Sequence, residues 1–211
     1  MDAKILQVDR PISNGRYRQV YIHPQDETKL IKVELPIERA LQNKAVSNLT
    51  KARRALRSLI SSKYVLTGHE REMLGIAELC RKAISDHHFF VKYYGETQTN
   101  IGRGLIFQRI TNFYQGRIYK LSEYLNENKH IKDDHLRHAV ETYFDLLLKN
   151  SIYIYGGEKE NIGVIRDEFG NLSVKTFDFK LYTNKAFIKL GSSESYAKIN
   201  IEIQRKRALG E

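Results

Sequence analysis

Tyr155-Gly156-Gly157-Glu158-Lys159-Glu160-Asn161-Ile162 and Thr176-Phe177-Asp178-Phe179, whose Asp stands seventeen residues after the Asn, are the stretches whose reading decides the fold. Between them Ile162–Arg166 and Leu172–Thr176 are β-branched runs, joined by Asp167-Glu168-Phe169-Gly170-Asn171, which carries turn residues. An Asn and an Asp at the two ends of one hairpin offer oxygen donors of the type that holds Mg²⁺ against phosphates. Taken singly, Asn161 reads as an Asx-turn residue and Asp178 as a loop cap. The pair gains meaning only from what precedes it.

Working outward, three earlier elements fall in the chain order a nucleotide clamp needs. Ser13-Asn14-Gly15 opens a turn that runs to Val20, between two short apolar runs. Small turn residues let backbone N–H groups approach phosphates. Only one glycine is present, and an ordinary hairpin accounts for the segment equally well. Lys32 interrupts the apolar strand Leu30-Ile31-Lys32-Val33. An ammonium there needs an anionic partner, because burying it alone is costly. Glu70 and Glu72, on a helix predicted over about 68–85, can both serve, and a Lys–Glu pair on phosphates is how kinases use these residue types.

The rest of the chain reads as α+β. Ile5, Val8 and Ile12 open a predicted strand meander over 4–33, and strands return at Phe89–Tyr94 and Leu105–Ile110. Leu74, Ala77, Leu79, Cys80 and Ile84 are the expected buried positions of the 68–85 helix. Helices follow at about 121–128 and 134–150. Asp133 or Asp134 caps the second, and Leu136, Val140, Tyr143, Phe144 and Leu147 form its stripe. A further helix is expected near 194–207. Strands, a helix, strands and then mostly helices exclude the alternating βαβ series of a parallel sheet.

At 211 residues the chain builds one domain, or one domain of two lobes. No run of eighteen apolar residues and no signal pattern is present. The sole cysteine, Cys80, reads as a small buried helix residue and forms no internal disulfide, which fits a reducing cytoplasm. Of the net charge of +10, residues 36–67 supply +6, with seven Lys/Arg against Glu38. The periodicity there predicts a basic amphipathic helix over 38–61, with Lys51, Arg54 and Arg57 opposite an apolar stripe. Such a face is either merely solvated or a docking surface for an anionic protein, lipid headgroup or phosphate. Tyr64 is the only aromatic of the segment, so no base-stacking platform for nucleic acid is visible. His87-His88 read as turn residues rather than metal ligands.

With these residues in hand, the chain resembles the bacterial YrbL family, the PhoP regulatory network proteins of the protein-kinase-like superfamily. The carrying segments are Asn14-Gly15-Arg16-Tyr17-Arg18-Gln19-Val20-Tyr21-Ile22-His23-Pro24, Ile31-Lys32-Val33, Arg71-Glu72-Met73, Tyr93-Tyr94-Gly95-Glu96-Thr97, Gly102–Phe107, Leu121–Leu125 and Glu160-Asn161-Ile162. The resemblance implies a compact two-lobe fold: a small antiparallel-sheet lobe over 1–110 with a basic helical insertion at 36–67, and a reduced, mostly helical lobe over 111–211 with an embedded hairpin. It implies Lys32 with Glu72 rather than Glu70 as its partner, Asn161 and Asp178 as Mg²⁺ ligands, and Phe107, Gln108, Arg109 and Ile110 as the hinge against the adenine of ATP.

The departures point to weak or absent phosphoryl transfer. Kinases place a catalytic Asp five residues before this Asn, and Gly156 stands there. The phosphate-neutralising Lys two residues later is Glu158. Phe179 is followed by Lys180 where a Gly is usual. The expectation is a nucleotide-binding pseudokinase of bacterial signalling or envelope regulation. The alternatives are a small-molecule or sugar kinase with a displaced base, for which Glu158, Glu160 and Tyr155 are candidates, and an interaction module that binds no nucleotide and works through the basic helix.

Overall fold

The computed structural model describes residues 5–15, 18–35, 68–85, 87–111, 118–155, 159–181 and 193–210. The basic helix expected at 38–61, and Gly156 to Glu158, lie outside the described residues. The chain divides into two units, Met1–Glu70 with Tyr93–Arg109, and Arg71–Lys92 with Ile110–Glu211.

The first unit is a five-stranded antiparallel sheet in the order β1-β2-β3-β5-β4, built from β1 (Ser13–Asn14), β2 (Arg18–His23), β3 (Asp26–Glu34), β4 (Tyr93–Thr99) and β5 (Gly102–Gln108). β3 is central, and Leu30, Ile31, Lys32 and Val33 are all buried. A strand covered on both faces shows no alternation, which is why its apolar run reads as continuous. One face carries a cluster of Leu6, Val8, Tyr21, Ile31 and Val33 with Ile101 and Ile106 packed on it. Gly104 lets β5 approach β3 here, since a Cβ would come within 2.5 Å of Ile31 Cγ2.

The N-terminal segment departs from the expected strand. Leu6 bonds to β4 and its turn through Leu6 N to Gln98 O (2.9 Å) and Asn100 N to Leu6 O (3.1 Å), while Asn100 Oδ1 accepts from Val8 N at 2.9 Å. Leu6 and Val8 are the buried residues, and Ile5 and Ile12 are 54% and 53% exposed. Pairing with a segment some ninety residues away, rather than with its neighbour, set the phase of this stretch.

Helix α1 (Gly68–Arg81) starts in the first unit, where the Glu34 carboxylate accepts from Gly68 N at 2.5 Å and His69 N at 3.4 Å. A side-chain anion there satisfies helix donors and suits the helix dipole. In the second unit α1 buries Glu72, Gly75, Ile76 and Leu79 and leaves Leu74, Ala77 and Cys80 exposed. Cys80 is therefore not a core residue. The expected apolar face is corrected because the helix is oriented by a buried carboxylate and a glycine, which no count of apolar positions reveals. A Cβ on Gly75 would lie 2.4 Å from the carbonyl oxygen of Phe179.

The second unit also holds α2 (Leu121–Asn128), α3 (Asp134–Lys149) and α4 (Ser193–Leu209), a three-stranded sheet of β6 (Tyr119–Lys120), β8 (Ile162–Arg166) and β9 (Leu172–Thr176), and a short pair of β7 (Ile154–Tyr155) with β10 (Lys180–Leu181). Asp133 caps α3 by accepting from Leu136 N at 2.8 Å, and the predicted stripe is buried. α4 packs on α3 and inserts Ala197, Ile201, Gln204 and Ala208. Phe89, Phe90, Tyr143, Phe144 and Phe179 form an aromatic cluster, with Phe90 against Phe179 edge to face at 6.0 Å. The strand expected over Phe89–Tyr94 is split. Phe89 and Val91 bond to Thr176 of β9 (Thr176 N to Phe89 O, 2.8 Å; Val91 N to Thr176 O, 3.1 Å), and β4 starts only at Tyr93.

Candidate functional site

In the first unit the cross-strand register aligns the residues of interest. Ser13 pairs with Val20, Val20 with Lys32, and Lys32 with Leu105. Directly opposed residues share a face, so this row lies on the face opposite the Ile31–Val33 cluster. Phe107, two residues beyond Leu105, shares that face. Lys32 is 6% exposed, and its Nζ stands 4.2 Å from the Phe107 ring centroid. The ring's negative face supports the ammonium in this apolar setting. A lysine so buried on a sheet face needs anionic company.

Ser13, Asn14 and Gly15 are exposed at the tip of the β1–β2 hairpin. Gly15 N bonds to Arg18 O at 2.8 Å, and Asn14 Oδ1 accepts from Gln19 Nε2 at 2.9 Å. The Gly15 N–H is thus spent on the turn. At the end of β5, Gln108 pairs with Lys29, and Arg109 N donates to Thr28 O at 2.8 Å. The Arg109 N–H thus continues the sheet ladder past Gln108. Ile110 falls in the second unit and is buried.

In the second unit the register of β8 with β9 runs from Ile162↔Thr176 to Arg166↔Leu172, and Phe177 N extends it by bonding to Asn161 O at 3.1 Å. The short pair then matches Lys180 with Tyr155. Asp178 and Phe179 are therefore bracketed by two pairings against one segment, 155–161. Asn161 and Asp178, half-buried, are brought to the same end of the hairpin. Phe179 is buried beneath α1 on Gly75, and Glu72 of α1 is 0% exposed.

Oxygen donors from one amide and one carboxylate suit a hard cation that keeps its other positions for water or phosphate, the habit of Mg²⁺. Among the described residues no group of three His, Cys, Asp or Glu is placed to form an all-protein cage. Lys175, three residues before Asp178 on β9, has its pKa pushed down by burial, and burial with His87 and Lys175 nearby lowers His88. His87 and His88 occupy a turn, with ring centroids 4.3 Å apart.

Glu160 is exposed in the 3₁₀ turn Lys159–Asn161, and Lys120 Nζ stands 4.0 Å from its Oε2. Lys120 starts α2, and Glu123 accepts its main-chain N–H at 3.2 Å. Sequence reasoning missed Lys120. Forty residues separate it from Glu160, and the pairing of β6 with β8, with the packing of α2 on the same turn, brings them together.

The family described as PhoP regulatory network protein YrbL matches residues 5–195. No curated protein matches the chain. Among solved structures the chain is similar to one titled crystal structure of Rad53 1-466 in complex with AMP-PNP, at 13% identity and a TM-score of 0.53, covering 96% of this chain and 46% of that one. At that identity the likeness concerns the fold, which is kinase-like, and this chain spans less than half the length of that one.

Proposed function

Since the chain belongs to the PhoP regulatory network protein YrbL family and has a kinase-like fold, we propose that it is a regulatory protein that binds Mg·ATP and transfers phosphate slowly or not at all. The observation that carries this reading is the closure of the β8–β9 hairpin by Phe177 N and Asn161 O, which puts Asn161 and Asp178 at one end. In this reading both side chains hold Mg²⁺, which neutralises phosphate charge when bound. Lys32 engages the phosphates and Glu72 supplies its counter-charge. Ser13, Asn14, Gly15 and Val20 border the nucleotide. Phe107, Gln108, Arg109 and Ile110 flank adenine; the Arg109 N–H is bonded to Thr28 O.

Gly156 has no group to accept a proton, and Glu158 reverses the charge expected beside the terminal phosphate. A lost base lowers rate by about 10²–10⁴-fold. Thermal denaturation with and without Mg·ATP tests the reading. At about 100 times its Kd the ligand adds about 2.7 kcal/mol of stability, and Lys32→Ala or Asp178→Ala removes that gain while the apo protein still unfolds cooperatively. An equal shift in wild type and both variants, or no shift in wild type, refutes it.

A further inference from the structure

Resting on the nucleotide reading above, we propose that Lys120 is a phosphate-binding residue that supplies, from the start of α2, the positive charge that position 158 lacks. The β6–β8 ladder puts Lys120 opposite Gly163, two residues past Asn161. From there its ammonium reaches to 4.0 Å from Glu160 Oε2, on the residue immediately before Asn161.

The carboxylates gathered at this end of the hairpin favour a further cation beside the metal. Glu160 precedes Asn161, and Asp178 stands across the hairpin from it. The flanking helix adds acids: Glu123 accepts the Lys120 main-chain N–H, and Glu127 accepts the Tyr119 hydroxyl. A Mg·phosphate group that keeps net negative charge meets repulsion from these carboxylates. Lys159 lies in the same turn, and among the described residues Lys120 is the cation within ion-pair distance of Glu160.

The Lys120–Glu160 pair is loose. Its separation is at the limit of an ion pair, and the two side chains are 40% and 59% exposed. Exposed pairs of this kind contribute little. A phosphate oxygen is a stronger acceptor and a denser charge, so the ammonium exchanges Glu160 for it at small cost. The flexible lysine stem permits that exchange.

The test is calorimetric titration of the full chain with Mg·ATP and, separately, with adenosine. Lys120→Met weakens Mg·ATP about tenfold, the lower end of what a hydrogen bond to a charged group contributes, and leaves adenosine affinity unchanged. The deficit narrows as salt rises, and Glu160→Gln tightens Mg·ATP. Retained adenosine binding in Lys120→Met reports an intact fold, and Lys120→Gln is the second variant should Met disturb it. Equal Mg·ATP affinity in wild type and Lys120→Met overturns this inference alone, as does an equal loss for adenosine. A wild type that binds no Mg·ATP overturns the nucleotide reading and this inference with it.

Discussion

Replacing Gly75 by Ala tests the packing that positions Asp178. A methyl on Gly75 would sit 2.4 Å from the Phe179 carbonyl oxygen, about 1 Å inside ordinary contact. The obstacle is main chain. Its residue is pinned by a buried ring packed edge to face on Phe90, so the strain cannot be relieved by turning a side chain. Overpacking of this kind costs about 1–3 kcal/mol, against about 1 kcal/mol gained from Ala over Gly in a helix interior. With a backbone clash the upper half of that range applies, giving a net loss of about 1–2 kcal/mol. For a chain of this size Tm falls by roughly 2–8 °C. Urea denaturation measures the loss, with Ala77→Gly as control: Ala77 is exposed on the same helix, and its change costs about 1 kcal/mol from propensity alone. Phe179 adjoins Asp178, so Gly75→Ala also weakens Mg·ATP binding more than the similarly destabilised Ala77→Gly does. A Gly75→Ala protein as stable as wild type, or more stable, refutes the close approach of α1 to Phe179.

Restoring the absent groups with Gly156→Asp and Glu158→Lys together raises ATP turnover above a low wild-type level, measured as steady-state hydrolysis and autophosphorylation; wild-type turnover of about 1 s⁻¹ or more contradicts a pseudokinase and redirects attention to Glu158 or Glu160 as base. The Asp26 carboxyl is held at about 2 by its hydrogen bond from Lys29 and then by that from Thr28. Its folded value is below the ordinary 3.8, so its contribution to stability is complete above that pH and is lost as pH falls through about 2. Lys29→Met moves the midpoint up, and a carboxyl-carbon NMR titration giving a wild-type midpoint near 3.8 refutes the contact. Changing Lys51, Arg54 and Arg57 to Glu leaves the fold intact and abolishes low-salt retention on heparin or anionic liposomes; unchanged retention assigns the charge to a solvated face.

Local pattern alone carried the elements whose burial is apolar and whose partners are near in sequence. The α3 stripe from Leu136 to Leu147 with its Asp133 cap, the strand holding Lys32, and the β8–β9 hairpin with Asn161 and Asp178 at its ends were all legible, because hydrophobic period and turn chemistry act over a few residues. Tertiary structure decided the rest. It rotated α1 so that Glu72 and Gly75 face inward and Leu74 and Cys80 face out, since a buried carboxylate and a close backbone approach outweigh an apolar count. It buried Leu6 and Val8 rather than Ile5 and Ile12 through bonds to Gln98 and Asn100. It set Lys120 beside Glu160 across forty residues of chain. Each of these depends on which distant segment arrives, and no window of local sequence contains that information.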